Sequence, residues 1–346
     1  MVTLSHRLRT PLCDLLGCDV PILQAGMGGP ARHELAATVA QAGGFGMLGM
    51  VREAPELIAR EVEALRARTD RPFAVNLIPA ATDSGLLAAE MDACFDFKVP
   101  ALCFFWDVVP KAVACAKAAG CLVLHQVGSV EAARVAEAAG ADILITQGVE
   151  AGGHVHGTTG SLVLVEQVAR EAKVPVVASG GFATGAGLVA ALALGAQGIH
   201  CGTVFLATRE AYAHDYHKRR LVEARAEDTV YTDAYVLNWP KGAAVRVLRN
   251  SVIESLGHHL TGHDPADLPR DVAAVEEGRP LLRYGTDSPL RPTEGDLESM
   301  ALYAGQSTAF VEGIPSAAEV VARIMDEAEA ALARLDGLGR MSEPHA

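Results

Sequence analysis

Short apolar segments alternate with glycine-bearing turns and alanine-rich segments along the first two thirds of the chain. Each short apolar segment suits a buried strand, and each alanine-rich segment suits a helix that covers a sheet. Such units, repeating about every 25 residues, are typical of a parallel sheet. The pattern predicts eight strands, at residues 22–24, 46–49, 73–77, 101–104, 122–125, 142–145, 176–178 and 198–200.

Helix ends are also marked in the sequence. Four glycines follow alanine-rich segments and suit the left-handed residue that ends a helix. They are Gly43, Gly120, Gly140 and Gly195. A final helix is predicted to begin after Ser316, because Glu319 completes a capping box ahead of an apolar face.

The strand and helix rhythm stops after Phe205, and residues 211–294 are richer in His, Arg, Tyr and Pro. We predict helices at 217–226 and 243–256 and a loop at 263–270. This segment is therefore predicted to be an inserted, mainly helical cap domain. Residues 1–210 and 295–346 are predicted to form a (β/α)₈ TIM barrel. A doubly wound open sheet is the competing topology.

Composition narrows the function. The chain has 346 residues, half of them hydrophobic, and a net charge of −13, so nucleic acid and anionic membrane surfaces are poor partners. Its seven cysteines are an odd number, are scattered along the chain and include no C-x-x-C pair, which argues against disulfides and a zinc site. Free cysteines are typical of a reducing compartment, so we expect the protein to be cytoplasmic.

One uncharged stretch, residues 174–208, is long enough to cross a bilayer. Pro175 and seven glycines divide it into short pieces, however. We therefore interpret it as buried strands with their covering helix and expect no membrane association.

Two glycine-rich turns follow the seventh and eighth predicted strands. The first contains Ser179, Gly180 and Gly181, and the second contains Gly202 and Thr203. In barrels of this kind the corresponding loops often hold a phosphate with backbone N–H groups. Neither a P-loop nor a G-x-G-x-x-G motif after the first strand is present.

The loop after the sixth predicted strand carries a candidate proton acceptor. It contains Gln147, Gly152, Gly153, His154 and His156. A loop after a barrel strand faces the mouth, and an imidazole is the usual general base. The two histidines lack a third ligand at a recognisable spacing, so we expect no metal site.

Amide side chains and glycines at the ends of other strands suit the edge of a planar heteroaromatic ring. They are Gln24, Gly26, Met27, Asn76 and Gln126. Phe104, Phe105 and Trp106 follow the fourth strand, and core packing is their predicted role.

These motifs together resemble the nitronate monooxygenase family, formerly called 2-nitropropane dioxygenases, which also contains flavin-dependent enoyl-acyl-carrier-protein reductases and NAD(P)H:quinone reductases. The resemblance rests on Pro21 to Met27, Asn76, Glu150 to His154, Ser179 to Gly181, Gly202 and Thr203, and Tyr303 to Ser307.

The resemblance implies a barrel that binds FMN non-covalently, with His154 as the catalytic residue. Gly180, Gly181, Gly202 and Thr203 would surround the phosphate. The other residues matched to the cofactor are Gln24, Gly26, Met27, Asn76, Gln126, Gln147, Gly152, Gly153, Ser179, Gly305, Gln306 and Ser307. Two positions depart from the family pattern: Val204 replaces a common arginine, and His156 replaces a common glycine.

The implied activity is oxidation of nitronates or nitroalkanes with O₂ to carbonyl compounds and nitrite. The alternative is an NAD(P)H-dependent reductase of quinones or enoyl thioesters, with Trp239, Arg246 and Arg249 in a groove for the dinucleotide or pantetheine. A third hypothesis is a barrel that binds a phosphate ligand without redox chemistry. The chain is expected to be a monomer or a homodimer.

Overall fold

The protein folds around a barrel of eight parallel strands. The computed structural model describes the backbone of residues 8–340 and the side chains of residues 8–338. In chain order, the strands up to residue 201 are β1 (Ile22–Gln24), β2 (Gly46–Gly49), β3 (Phe73–Leu77), β4 (Ala101–Phe104), β5 (Leu122–Val127), β6 (Ile143–Gln147), β7 (Gly153–His154), β8 (Val176–Ser179) and β9 (Ile199–Cys201).

The barrel closes, which excludes the doubly wound open sheet. Its strand order is β1-β9-β8-β6-β5-β4-β3-β2, and a parallel bridge between Leu23 and Phe45 joins its two ends. The TIM barrel prediction is therefore confirmed. The first four strands coincide with their predicted ranges, and the others differ by at most two residues. For example, β6 continues to Gln147 because that residue pairs with Ser179 of β8.

Helices surround the barrel. They are α1 (Pro11–Leu16), α2 (His33–Gln41), α3 (Pro55–Arg66), α4 (Ser84–Asp96), α5 (Pro110–Ala118), α6 (Val130–Ala139), α7 (Ser161–Glu171), α8 (Gly185–Ala193), α9 (Thr203–Leu206), α10 (Asp215–Glu223), α11 (Ser251–Leu256) and α12 (Ala317–Arg340). Leu12 and Leu16 of α1 join the apolar cluster inside the barrel, so this helix fills one end of it. The four predicted helix-ending glycines all have positive φ, from 82° to 106°.

The last helix completes the outer layer as the capping box predicts. The Ser316 hydroxyl accepts a hydrogen bond from the backbone N–H of Glu319, and the Glu319 carboxylate accepts one from the backbone N–H of Ser316. Helix α12 packs closely on α8, where a Cβ atom at Gly185 would lie 2.0 Å from the backbone nitrogen of Ala328.

Residues 211–294 are mixed in secondary structure, and the prediction that they are mainly helical is wrong. They contain α10, α11 and the strands β10 (Thr229–Thr232), β11 (Val245–Leu248), β12 (Val272–Glu276) and β13 (Arg279–Leu282), while β14 (Thr293–Gly295) begins at their end. The helix predicted at 243–256 begins only at Ser251. Val245 and Val247 alternate with polar Arg246, and β-branched residues in this pattern favour a strand.

The added strands connect this segment to the barrel. Strand β11 lies between β10 and β7, and Val245 pairs with His154 in an antiparallel ladder. A second sheet has the order β13-β12-β14. The uncharged stretch 174–208 contains β8, β9 and the short helices α8 and α9. None of the helices within residues 8–340 has the length and apolar character that crossing a membrane requires.

Candidate active site

The carboxyl ends of the barrel strands surround a cavity of about 930 Å³. Five polar side chains line the base of this cavity, where it meets the barrel interior, and we call them the polar floor. They are Asn76, Gln126, Gln147, Ser179 and His200. Each of the five is either paired with an apolar residue of the cluster inside the barrel or lies two residues after one on the same strand. Because side chains alternate along a strand, all five point into the barrel interior, at the end where the strands terminate.

Hydrogen bonds hold two floor amides in place. Asn76 donates from Nδ2 to the carbonyl oxygen of Cys103 at 3.0 Å, and Gln147 donates from Nε2 to the carbonyl oxygen of His154 at 2.8 Å. The Gln126 amide has no hydrogen-bond partner within the described part of the chain. The floor therefore offers oriented amide groups to a ligand.

Ser179 and His200 form a buried pair in the floor. The Ser179 hydroxyl lies 2.9 Å from Nδ1 of His200. Burial lowers the pKa of His200 to about 4, so the imidazole is neutral at neutral pH. Its Nε2 atom is buried and has no hydrogen-bond partner among residues 8–340. An unpartnered buried nitrogen is costly unless a ligand supplies the missing bond.

Glycines form the part of the cavity beside the floor. Gly180 and Gly181 have φ angles of 90° and 83°, in the left-handed region that favours glycine. A Cβ atom at Gly180 would lie 2.8 Å from the carbonyl oxygen of Gly148, which leaves no room for a side chain. Gly202 and Thr203, the residue before α9 and its first residue, lie next to this turn and also line the cavity.

The C-terminal segment approaches the histidine-bearing loop through two glycines. A Cβ atom at Gly152 would lie 2.3 Å from the backbone nitrogen of Gly305. Gly305 donates its N–H to Oγ1 of Thr203 at 3.0 Å, and Gln306 donates its N–H to the carbonyl oxygen of Glu150 at 2.9 Å. These contacts place Ser307 at the cavity.

His154 belongs to an aromatic wall above the floor, which we define as Trp106, His154, His156, Trp239 and Tyr303. The His154 ring stacks on Trp239 with centroids 3.8 Å apart and an interplanar angle of 27°. Burial, with a smaller contribution from the Arg52 cation, lowers the pKa of His154 to about 3. The imidazole is therefore neutral at neutral pH and has a lone pair that can accept a proton.

Trp106 and His156 complete the wall. Their ring centroids are 4.6 Å apart, and Nε2 of His156 lies 3.0 Å from Oδ1 of Asp107. Trp106 has a φ angle of 74°, which is unusual for a residue with a bulky side chain. Backbone strain of this kind is concentrated at functional sites.

The cavity brings together fourteen of the seventeen residues predicted for the site. They are Gly26, Met27, Asn76, Gln126, Gln147, Gly152, Gly153, His154, Ser179, Gly180, Gly181, Gly202, Thr203 and Ser307. Gln24, Gly305 and Gln306 are placed outside the lining. The Gln24 carboxamide oxygen accepts the backbone N–H of Met47 at 3.0 Å, and the Gln306 side chain is exposed.

Sequence reasoning missed several residues that the structure adds. Phe104 packs in the outer core as predicted, and Trp106 packs against a smaller apolar cluster that includes Phe105 and Trp239 while its ring also contacts His154. His200 was also missed, although its place two residues before Gly202, on an inward position of a strand, could have indicated it. Arg52 follows β2 without any local motif and lines the cavity.

Known proteins match this chain along most of its length. The family model for nitronate monooxygenase matches residues 9–96 and 88–327. A nitronate monooxygenase of Paraburkholderia phytofirmans is 31% identical, with 94% of this chain and 96% of that protein covered. A (3aS,4S,5R,7aS)-5-hydroxy-7a-methyl-1-oxo-octahydro-1H-indene-4-carboxyl-CoA dehydrogenase of Mycobacterium tuberculosis is also 31% identical, with 93% and 96% covered.

A solved structure agrees with these sequence matches. FabK from Thermotoga maritima superimposes with a TM-score of 0.80 at 32% identity, covering 95% of this chain and 99% of FabK. The chain belongs to the nitronate monooxygenase family and is an enzyme, a flavin-dependent oxidoreductase.

Proposed function

We propose that this enzyme is an FMN-dependent nitronate monooxygenase, which oxidises alkyl nitronates and nitroalkanes with O₂ to carbonyl compounds and nitrite. The observation that carries the proposal is a neutral imidazole, His154, beside a floor of oriented amides in one cavity. In this proposal, residues 1–210 and 295–346 bind the cofactor and residues 211–294 contribute to substrate selection.

The residues of the cavity fit FMN. Gly180 and Gly181 leave backbone room for the phosphate, and a Cβ atom at Gly26 would lie 2.3 Å from Cβ of Asn76. The unpartnered Nε2 of His200 matches a hydroxyl or carbonyl group of a ligand. Asn76, Gln126, Gln147 and Ser179 would hold the ring or the ribityl chain. FMN, when bound, supplies the electron transfer to oxygen.

His154 would accept the α-proton of a neutral nitroalkane. An imidazole with a pKa of about 3 is a weak base at neutral pH, because efficient general bases titrate near the working pH. A preformed nitronate needs no proton transfer. We therefore propose that nitronates are better substrates than the corresponding nitroalkanes, and that the aromatic wall excludes water from the reacting group.

The His154→Asn variant tests this role. Asparagine cannot accept the proton, so turnover of nitroethane should fall by about a hundredfold or more, the usual contribution of a general base. Turnover of ethyl nitronate and the flavin content should change much less. Equal losses with both substrates would contradict the assignment of His154 as a base.

A reductase of quinones or enoyl thioesters is the second candidate. The cavity is near the upper end of the range of about 300–1,000 Å³ for ligand pockets, so it has room beside a cofactor for a second long ligand. It extends to Tyr212, whose ring lies 5.8 Å from the Arg32 guanidinium and 5.1 Å from that of Arg291. The relative that acts on a carboxyl-CoA also favours this candidate.

Anaerobic stopped-flow spectroscopy separates the two candidates. The purified protein is mixed in turn with NADH, NADPH and propyl-2-nitronate while the flavin absorbance is recorded. Flavin reduction by the nitronate alone supports the monooxygenase. Rapid bleaching by NADH or NADPH supports the reductase and overturns the first proposal.

A further inference from the structure

Arg52 lies in the turn after β2 with a φ angle of 58°, a left-handed conformation that is costly for arginine. The Glu90 carboxylate holds this turn: its Oε1 atom accepts the backbone N–H of Glu53 at 3.0 Å, and the N–H of Arg52 also bonds to Glu90. The strained turn directs the Arg52 side chain to the cavity, which it lines. Backbone strain held in this way commonly serves function.

The Arg52 guanidinium contacts the aromatic wall. Its Nη1 atom donates to the carbonyl oxygen of Asn238 at 2.5 Å, and its central carbon lies 5.0 Å from the centre of the Trp239 ring. His154 stacks on the same indole. The Arg52 cation also lowers the pKa of His154, which is the expected effect of a positive charge beside an imidazole.

Three other arginines that line this cavity form salt bridges with carboxylates, whereas Arg52 forms none among the residues that the structure describes. Arg32 pairs with Glu53, Arg279 with Glu276 and Asp287, and Arg291 with Glu34. Across residues 8–340, Arg52 makes no salt bridge, and its Nε and Nη2 atoms have no hydrogen-bond partner. Burial lowers the pKa of Arg52, and the nearby Asp287 and Glu90 offset this effect only in part, so a bound anion would further stabilise the charge.

We propose that Arg52 binds the anionic head group of the substrate, a planar oxyanion with two oxygens on one atom, beside His154. The inference rests on the proposed function of this cavity and names the group that positions the nitronate. A guanidinium has parallel N–H donors that match two coplanar oxygens, and Nε and Nη2 are the pair that Asn238 leaves available.

The two tryptophans of the sequence provide a direct readout. Trp106 and Trp239 both lie on the aromatic wall, so intrinsic tryptophan fluorescence reports on this site alone. Acetate is the probe, because it is a planar two-oxygen anion, and acetamide is its neutral isostere. The purified full-length protein with its flavin is titrated with each, at constant ionic strength.

Acetate should change the fluorescence saturably in the wild-type protein, whereas acetamide should have little effect at the same concentrations. Arg52→Gln should weaken acetate binding about tenfold or more, because a charge-assisted hydrogen-bond pair is lost. Arg52→Lys should bind acetate with an intermediate affinity, because lysine keeps the positive charge but lacks the two parallel N–H donors of the guanidinium. Arg219→Gln, which removes an exposed arginine from α10, is the matched control and should bind acetate like the wild type.

Equal responses to acetate and acetamide in the wild type would overturn the inference, and so would Arg52→Gln binding acetate as tightly as Arg219→Gln. If Arg52→Gln does not fold, two other comparisons test the inference: the acetate affinity of Arg52→Lys against that of the wild type, and acetate against acetamide in the wild type. Nitronate turnover is assayed separately. If acetate binding depends on Arg52 but the enzyme does not oxidise nitronates, the anion site stands and the proposed function is rejected.

Discussion

The polar floor and the aromatic wall meet at one cavity, which His154, Trp239 and Tyr303 of the wall line, but the chain builds them differently. Floor side chains stand on five strands of one barrel, so the backbone ladder fixes their spacing. Wall side chains come from segments far apart in sequence, such as the turn after β4 and the short strand β7, and Trp106 and Arg52 are held in left-handed conformations. A ladder-fixed floor suits a cofactor of constant shape. A wall built from segments outside the barrel strands suits substrates that differ between relatives.

The most disruptive test of this comparison is a change at the glycine turn beside the floor. In Gly180→Val, left-handed strain of about 1–2 kcal/mol adds to overpacking of about 1–3 kcal/mol against the carbonyl of Gly148. We expect flavin affinity to fall by about a hundredfold, measured by flavin absorbance of the dialysed protein.

Gly242→Ala is the control for strain alone. Gly242 also has a positive φ, of 77°, but a Cβ atom there would meet nothing within 4 Å. This variant should lose some stability in urea and keep its flavin. Normal flavin content in Gly180→Val would refute the role of the turn.

A pH dependence of stability should come from two buried histidines, one in the floor and one in α10. Burial lowers the pKa values of His200, in the floor, and His217, in α10, to about 4, below the ordinary value of 6.5. Between pH 6.5 and 4 the unfolded chain binds protons that these folded imidazoles reject. The free energy of unfolding should therefore fall as pH falls, by about 3 kcal/mol for each histidine.

Urea denaturation at several pH values measures this effect. His200→Gln and His217→Gln should each flatten the acid side of the profile. The same substitution at His258, an exposed residue, serves as the control. If the stability of His200→Gln and His217→Gln depends on pH as the wild type does, these histidines do not cause the loss of stability in acid.

Trp239→Leu should separate the wall from the floor. Without the indole, the His154 ring is less buried, so its pKa should rise from about 3 towards 6.5, as measured by NMR titration of the imidazole. Loss of the indole ring from the aromatic wall should also raise KM for nitronate by about tenfold. Flavin content should remain normal because Trp239 contacts no floor residue by ring stacking. Trp239→Phe, which keeps an aromatic ring, should restore most of both properties.

The floor could be predicted from sequence, whereas most of the wall could not. Strand positions follow from apolar segments and glycines, and alternation then places Asn76 and Gln147 at the mouth. His154 was predicted because glycines flank it in a loop after a strand. The contact of Trp106 with His154 could not be predicted, because a left-handed turn at a bulky residue has no sequence signature. Trp239 reaches His154 through the pairing of β11 with β7, a long-range contact that local patterns do not encode.

His200, which strand alternation also directs into the barrel, provides the smallest and most specific test of the floor. His200→Leu removes the hydrogen bond to Ser179 and the unpartnered Nε2 atom. Since one neutral hydrogen bond contributes about 1 kcal/mol, the dissociation constant for FMN should rise about fivefold. His200→Gln can still hydrogen-bond to Ser179 and should recover most of the affinity. Substrate KM should stay constant in both variants, because the wall is intact; a change in KM without a change in flavin affinity would mean that His200 serves the substrate instead.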